Sequence, residues 1–134
     1  IINYYAFVEA VRLYSDKRIS NGGSIVAISS YSSINGDKGQ LAYAASKSAI
    51  DSSVVIMTKE LYSRNIRVNA IRPAIIEGEK TNINLLPTSI QNIIEKMKTG
   101  LIDPNILAEQ IAFLISDSSS GVYGRCFDVK GYLA

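Results

Sequence analysis

The stretch that most restricts the fold of this chain is the apolar run from Ser24 to Ser30, with the sequence Ser-Ile-Val-Ala-Ile-Ser-Ser. A strand without alternating polar residues is buried on both faces, as happens in parallel sheets that helices cover on both sides. Ser29 and Ser30 end the run with hydroxyl groups, and open α/β sheets bind their ligands at the carboxyl ends of strands. The run therefore predicts an α/β fold, a buried parallel strand over residues 24–30 and a polar site at its end.

The longest helical pattern follows this strand, from about Gln40 to Ser63. One stripe recurs at alternating steps of four and three residues, the spacing of a single helix face. Its members are Tyr43, Lys47, Ile50, Val54, Met57 and Leu61. A neighbouring stripe has small side chains, namely Ala42, Ala45, Ala49 and Ser53. We therefore predict a central helix that packs the core along its later turns and lets another helix approach closely, in the same subunit or in a second copy.

Tyr43 and Lys47 are a candidate catalytic pair at the start of this helix. Residues four apart lie one turn from each other on the same helix face. A free phenol ionises near pH ~10, and a nearby ammonium group favours the phenolate form. The pair can therefore serve as an acid or base near neutral pH. Taken alone, the same spacing also occurs in ordinary surface contacts on helices.

The sequence Tyr-Ala-Ala-Ser-Lys, which begins at Tyr43, stands thirteen positions after Ser30. A strand ending in Ser-Ser, then a loop, then Tyr-x-x-x-Lys resembles the catalytic signature of the short-chain dehydrogenase/reductase family. The resemblance implies an oxidoreductase that uses NAD or NADP to interconvert a carbonyl and a secondary alcohol, acting on 3-oxoacyl groups or on sugars and polyols. It also implies that Ser30 polarises the carbonyl, that Tyr43 exchanges the proton, and that Lys47 keeps Tyr43 acidic while holding the nicotinamide ribose.

A first helix is predicted over residues 1 to about 18, because apolar residues recur there at helical spacing. These residues are Tyr4, Phe7, Val8, Val11 and Tyr14. The family resemblance implies that Asn3 completes a catalytic tetrad with Ser30, Tyr43 and Lys47, by bending the helix and holding a water molecule. From the residue alone, Asn3 is equally an ordinary polar side chain on a helix.

A second strand is predicted over residues 67–73, and the run Pro-Ala-Ile-Ile-Glu-Gly begins at Pro73. Pro73 and Ile76 match the segment with which the resembling family contacts the nicotinamide, so the resemblance implies that both bind the cofactor, together with Tyr43 and Lys47. Ala74 stands where the family has glycine. Gly78 stands where the family has a threonine that meets a phosphate, so this chain lacks that hydroxyl group.

The remaining pattern predicts a flap over residues 79–100, a late helix and a third strand over residues 125–129. The flap contains a helix start at Pro87-Thr88-Ser89 and is either a lid over substrate or a surface helix. Asp103 and Pro104 are typical of a helix start. The buried stripe predicted for that helix comprises Leu107, Ile111, Leu114 and Ile115. Lys130 and Tyr132 follow the third strand, where the family usually has Asp-Gly-Gly.

The family also requires a glycine-rich phosphate loop, and this sequence contains none. We therefore expect residues 1–134 to be the C-terminal half of a single Rossmann-type NAD(P)-binding domain that carries the catalytic residues, with the N-terminal glycine-rich half absent. This portion would contain three strands and flanking helices of a doubly wound parallel sheet. Its unpaired sheet edge leads us to expect no independent activity.

Composition excludes several other classes of function. The net charge of +2 is too small to attract nucleic acid by its electrostatic field. No run approaches the ~18 apolar residues of a membrane span. The chain contains no histidine, which excludes Ser-His triads and common zinc sites, so no metal is expected. A single cysteine, Cys126, fits a reducing, cytoplasmic location.

Two further expectations concern partners. The resemblance implies a homodimer or homotetramer formed through the first and central helices, acting on a small-molecule carbonyl or alcohol. The alternative to an enzyme is a non-catalytic member of the family that serves as a structural or regulatory subunit. That alternative is motivated by the departures from the family pattern at Ala74, Gly78, Lys130 and Tyr132.

Overall fold

The computed structural model describes residues 2–18, 22–78, 88–89, 91–92 and 101–131. The main elements are α1 (Ile2–Tyr14), β1 (Gly23–Ile28), α2 (Leu41–Leu61), β2 (Ile66–Pro73), α3 (Pro104–Ile115) and β3 (Cys126–Val129). Single turns of 3₁₀ helix occur at Tyr31–Ser33, Tyr62–Arg64 and Asp117–Ser119.

The three strands form one parallel sheet in the order β1-β2-β3, which confirms the predicted α/β architecture. Ala70 of β2 pairs with Ala27 on one side and with Cys126 on the other. The central strand is buried along its length except at Arg72, as expected for a parallel strand with covered faces. All three carboxyl ends therefore meet at one edge of the sheet, which also holds the residues that follow each strand.

Helices cover both faces of this sheet. Alternate residues of β2 point to opposite sides, and two hydrophobic clusters result. The first cluster lies under α1 and α2 and contains Ala27, Ile50, Val54, Ile66, Val68 and Ala70. The second lies under α3 and contains Ile71, Ile102, Leu107, Leu114 and Val129. This arrangement is the doubly wound layering that was predicted, here with three strands.

The central helix follows the predicted stripe. Ile50 and Val54 are buried, and Met57 and Leu61 pack against the first cluster. The helix is followed by the 3₁₀ turn Tyr62–Arg64, after which Asn65 adopts a left-handed conformation with φ 55°. That conformation reverses the chain directly into β2.

The start of α3 also confirms the sequence prediction, but its end does not. Asp103 accepts a hydrogen bond from the Asn105 backbone N–H at 2.8 Å, and Pro104 is the first helical residue. The prediction that Ile115 belongs to the buried stripe was wrong, because Ile115 is 53% exposed. The helix ends at this residue, and Ser116 turns the chain into an extended conformation.

Two other elements end earlier in the chain than predicted. Helix α1 ends at Tyr14, and β1 ends at Ile28, before the two serines. The predicted flap over 79–100 lies mostly outside the described residues, where positions 88–89 and 91–92 are helical. Tyr132 also lies outside them. Among the helices of the described residues, none has the length and apolar character needed to cross a membrane.

Candidate active site

Ser30 lies at the carboxyl end of β1, where the strand passes into a 3₁₀ turn. The Ser29 backbone N–H still donates to the Ile71 carbonyl at 2.8 Å, so the sheet ladder extends to that residue. Ser30 remains extended, and its Oγ accepts a hydrogen bond from the Ser32 N–H at 3.2 Å. Because the hydroxyl is the acceptor in this bond, its proton is left for another partner. Ser30 is 8% exposed, so its position is tightly defined.

The loop after Ser30 lies directly on α2. The Ser48 hydroxyl on that helix donates to the Ser33 carbonyl at 2.7 Å. Gly36 allows the close approach, since a Cβ atom there would lie 3.0 Å from the Ser32 carbonyl oxygen and 3.1 Å from the Cβ of Ala44. A larger residue at position 36 would push the loop away from the helix.

Tyr43 and Lys47 lie in the first turns of α2, beside the end of β1. The Lys47 ammonium donates to the Ile28 carbonyl at 2.7 Å, and its Nζ is 5.9 Å from the centroid of the Tyr43 ring. The Ser29 hydroxyl donates to the Lys47 carbonyl at 3.3 Å. The Tyr43 side chain is 45% exposed. The structure therefore brings Tyr43 and Lys47 to the strand end that carries Ser30.

Asn3 lies on an exposed position in the first turn of α1. Its neighbours Tyr4 and Phe7 pack against the first hydrophobic cluster and so hold α1 beside α2. Within the part of the chain that the structure describes, the Asn3 side chain makes no hydrogen bond to Lys47, whose ammonium donates to Ile28. The tetrad role of Asn3 stays a prediction.

Pro73 and Ile76 lie at and beyond the end of β2, the strand next to β1. Pro73 is buried and pairs with Val129. Ile76 forms a parallel bridge with Ile102 and packs against the second hydrophobic cluster. The segment after β2 is thus fixed beside the start of α3. Glu77, which follows it, is exposed.

Tyr31 and Lys130 form a contact at this edge that the sequence did not indicate. The Lys130 ammonium lies 4.3 Å from the centroid of the Tyr31 ring, and interaction with the Tyr31 hydroxyl raises the pKa of Lys130. The contact joins the end of β3 to the residue that follows Ser30. The two positions are far apart in sequence, and the only sequence signal was the departure from the family pattern at Lys130.

A groove of about 530 Å³ opens between the start of α3 and the end of β3. It is lined by Leu101, Ile102, Asp103, Ile106, Gln110, Asp128, Val129, Lys130 and Gly131. None of the predicted catalytic residues contributes to it, so it is not assigned to the reaction. Across the described residues, no three cysteine or carboxylate side chains are grouped in a way that could hold a metal ion.

Comparisons with known proteins show which family this chain is similar to. A family model described as enoyl-(acyl carrier protein) reductase matches residues 1–131. The 3-oxoacyl-(acyl-carrier-protein) reductase FabG of Thermotoga maritima is 39% identical over 112 residues, which are 83% of this chain and 45% of that protein. The chain spans about half the length of the curated relatives it matches.

Solved structures of dehydrogenases share the fold. A 7α-hydroxysteroid dehydrogenase complexed with NADH and 7-oxo glycochenodeoxycholic acid superposes with a TM-score of 0.84 at 29% identity, over 96% of this chain and 51% of that one. A short-chain type dehydrogenase/reductase from Mycobacterium ulcerans gives a TM-score of 0.78 at 29% identity, over 95% of this chain and 46% of that one.

Proposed function

Because the chain belongs to the short-chain dehydrogenase/reductase family, as its motifs predicted, we propose that the protein is an NAD(P)-dependent oxidoreductase that interconverts a carbonyl and a secondary alcohol. The observation that carries the proposal is the placement of the Lys47 ammonium. It is bonded to the end of the strand that leads to Ser30, and it lies one helical turn from Tyr43. A hydrogen-bond donor, a proton donor and a fixed positive charge are thus available at one sheet edge.

Each of these residues has a distinct part in the proposed reaction. In the direction of reduction, the Ser30 hydroxyl donates a hydrogen bond to the substrate carbonyl oxygen, and the Tyr43 hydroxyl gives that oxygen its proton. In the direction of oxidation, Tyr43 receives the proton from the alcohol. Lys47 supplies a positive charge 5.9 Å from the centroid of the Tyr43 ring, and its bond to Ile28 keeps that charge in place.

The nicotinamide cofactor supplies the hydride to the carbonyl carbon when it is bound. The residues at this edge fit such a group. Lys47 uses one of its three ammonium protons on the Ile28 carbonyl, so two remain for the hydroxyl groups of a ribose. Pro73 is the last residue of the adjacent strand and Ile76 lies three residues further on, and both are proposed to contact the nicotinamide portion. Gly78 provides no hydroxyl for a phosphate.

The substrate class is proposed from the relatives and covers two kinds of ketone. The Thermotoga maritima relative is named as a 3-oxoacyl reductase, and the 7α-hydroxysteroid dehydrogenase structure contains an oxo-steroid. We therefore place 3-oxoacyl thioesters first in the substrate panel, followed by an oxo-steroid and by the sugar ketones that the family resemblance implies. NADH and NADPH are both included.

Assembly into a homodimer or homotetramer through α1 and α2 is also proposed. Large apolar side chains are exposed on both helices, among them Ile2, Tyr5, Val55 and Ile56. Burial of such side chains against a second copy would remove apolar surface from water. The small-residue stripe of α2 would let a second copy approach that helix closely, which supports a contact through it.

The test of the proposed function uses the complete protein and a Tyr43→Phe variant. Loss of absorbance of NADH or NADPH is followed with the carbonyl panel, and cofactor binding is titrated separately. Because removal of a general acid costs about 10²–10⁴-fold in rate, Tyr43→Phe should lower kcat at least ~100-fold, with a much smaller loss of cofactor affinity because Lys47 is unchanged. Tyr62→Phe is the matched control, since Tyr62 lies after the far end of α2 and packs against Tyr123.

Two outcomes would contradict the proposal. Equal rates for Tyr43→Phe and the unmodified protein would remove Tyr43 from the reaction. The absence of both turnover and cofactor binding in the unmodified protein would favour the alternative, a non-catalytic subunit, for which the missing hydroxyl at Gly78 is the specific observation.

A further inference from the structure

A partly buried arginine, Arg72, contacts both α2 and β3 from the strand β2 that lies between β1 and β3. Arg72 is the one residue of β2 that is not fully buried, and its side chain points towards α2. Its Nη1 lies 3.6 Å from Asp51 Oδ2, and its Nε lies 2.7 Å from Asp128 Oδ1 on β3. Its Nη2 donates to the Cys126 carbonyl at 3.2 Å. The guanidinium is therefore within ion-pair distance of Asp51 and attracts its carboxylate towards the sheet.

Asp51 continues the helix face that carries the catalytic pair. Tyr43, Lys47 and Asp51 are spaced four residues apart, so their side chains follow one another along α2. Tyr43 is exposed at the end of this face nearest the N-terminus of α2, whereas the Asp51 side chain is only 14% exposed. The same face thus reaches from the proposed reaction site into the contact between α2 and the sheet.

The Asp51 carboxylate also holds the turn that begins at Ser30. Ser33 Oγ donates to Asp51 Oδ2 at 2.5 Å, a short distance typical of hydrogen bonds to charged acceptors. The Ser33 backbone N–H donates to the Ser30 carbonyl at 2.9 Å, and the Ser32 N–H donates to Ser30 Oγ. A displacement of Ser33 therefore changes the position of Ser30 through the hydrogen bonds of a single turn.

We propose that Asp51 is a positioning residue that orients Ser30 through Ser33, with the charge of Arg72 holding the carboxylate in place. The inference rests on the proposed function, because it assigns Ser30 a part in the reaction. Asp51 touches neither substrate nor cofactor in this scheme. Its contribution is to keep the Ser30 hydroxyl aimed at the carbonyl oxygen, since small misplacements of a reacting group cost large factors in rate.

The test compares Asp51→Asn, Ser33→Ala and Asp128→Asn in the complete protein. Asp128→Asn is the matched control, because it removes a carboxylate from the same guanidinium without touching Ser33. Asp51→Asn and Ser33→Ala should each lower kcat roughly tenfold and leave the cofactor Kd within about twofold. Asp51→Asn weakens the hydrogen bond from Ser33 by removing the charge of the acceptor, and Ser33→Ala removes the bond altogether. The double variant should therefore be no slower than the slower single variant, because both changes act on the same hydrogen bond. Asp128→Asn should keep kcat within about twofold.

Hydrogen exchange at the backbone N–H groups of residues 31–35 gives a second readout that does not need activity. Asp51→Asn and Ser33→Ala should speed this exchange, while Asp128→Asn should not. If the unmodified protein has no turnover, the proposed function fails and Ser30 has no reaction to be positioned for. The proposal is then overturned even if hydrogen exchange shows that Asp51 holds Ser33. Unchanged exchange, or an equal loss of kcat in Asp128→Asn, would also overturn it. Ser33→Ala keeps the test valid if Asp51→Asn does not fold.

Discussion

Replacement of Arg67 by methionine tests how the end of α3 is held. Arg67 lies on β2 and is 6% exposed. Its Nη1 donates to the Ser119 carbonyl at 2.6 Å, and its Nη2 donates to the Ser116 carbonyl at 2.8 Å. Among the ion pairs of the described residues, none involves Arg67, so its charge is balanced by the carbonyl groups at the helix end.

The size of the effect follows from these contacts. Hydrogen bonds to a charged group contribute about 1.5–3 kcal/mol each, so the bonds to the two carbonyl groups give ~3–6 kcal/mol. Methionine avoids the cost of burying an ion, which offsets part of this loss. In the variant, the Ser119 carbonyl would still accept a hydrogen bond from the Val122 N–H, now 2.9 Å away, and the Ser116 carbonyl would still accept one from the Ser119 N–H, now 3.3 Å away. We therefore expect Arg67→Met to lower the free energy of unfolding by about 2–3 kcal/mol.

Urea unfolding of the complete protein, followed by circular dichroism, measures this loss. Arg12→Met is the control, because Arg12 is exposed on α1 and pairs with Glu9 at the surface. The control should leave the urea midpoint unchanged. A loss below about 1 kcal/mol for Arg67→Met, or a midpoint equal to that of the control, would refute the reasoning that the guanidinium secures the end of α3.

Two further predictions concern stability and reactivity. Burial raises the pKa of the Cys126 thiol from 9.0 to about 11, so this group contributes stability below pH 9 that is lost as the pH rises towards 11. Iodoacetamide at pH 8 should therefore alkylate Cys126 much more slowly in the folded than in the unfolded protein, and equal rates would contradict this. Asn65→Gly should be nearly neutral in thermal unfolding because of the left-handed backbone, whereas Asn65→Ala should cost ~1 kcal/mol; equal costs would contradict this reason.

Much of the fold could be predicted because its signals are local. The uninterrupted apolar run before Ser29 required a buried parallel strand, and the stripe through Ile50 and Val54 required a helix packed on a sheet. Asp103 and Pro104 fixed a helix start through capping chemistry that involves only neighbouring residues. The burial of Ile115 was predicted wrongly because α3 ends at this residue, where the Ser116 carbonyl accepts a hydrogen bond from Arg67.

In the candidate site, too, some features could be predicted from the sequence and others depend on tertiary contacts. Sequence spacing determined that Tyr43 and Lys47 share a helix face and that Ser30 lies just after the end of a strand, because helix periodicity and strand ends are properties of short segments. Only the tertiary structure decided that Lys47 donates to Ile28. It likewise decided that Ser33 donates to Asp51 and that Lys130 lies on Tyr31. These contacts join residues 18 or more positions apart, and they depend on how separate elements pack around the sheet, which no local pattern encodes.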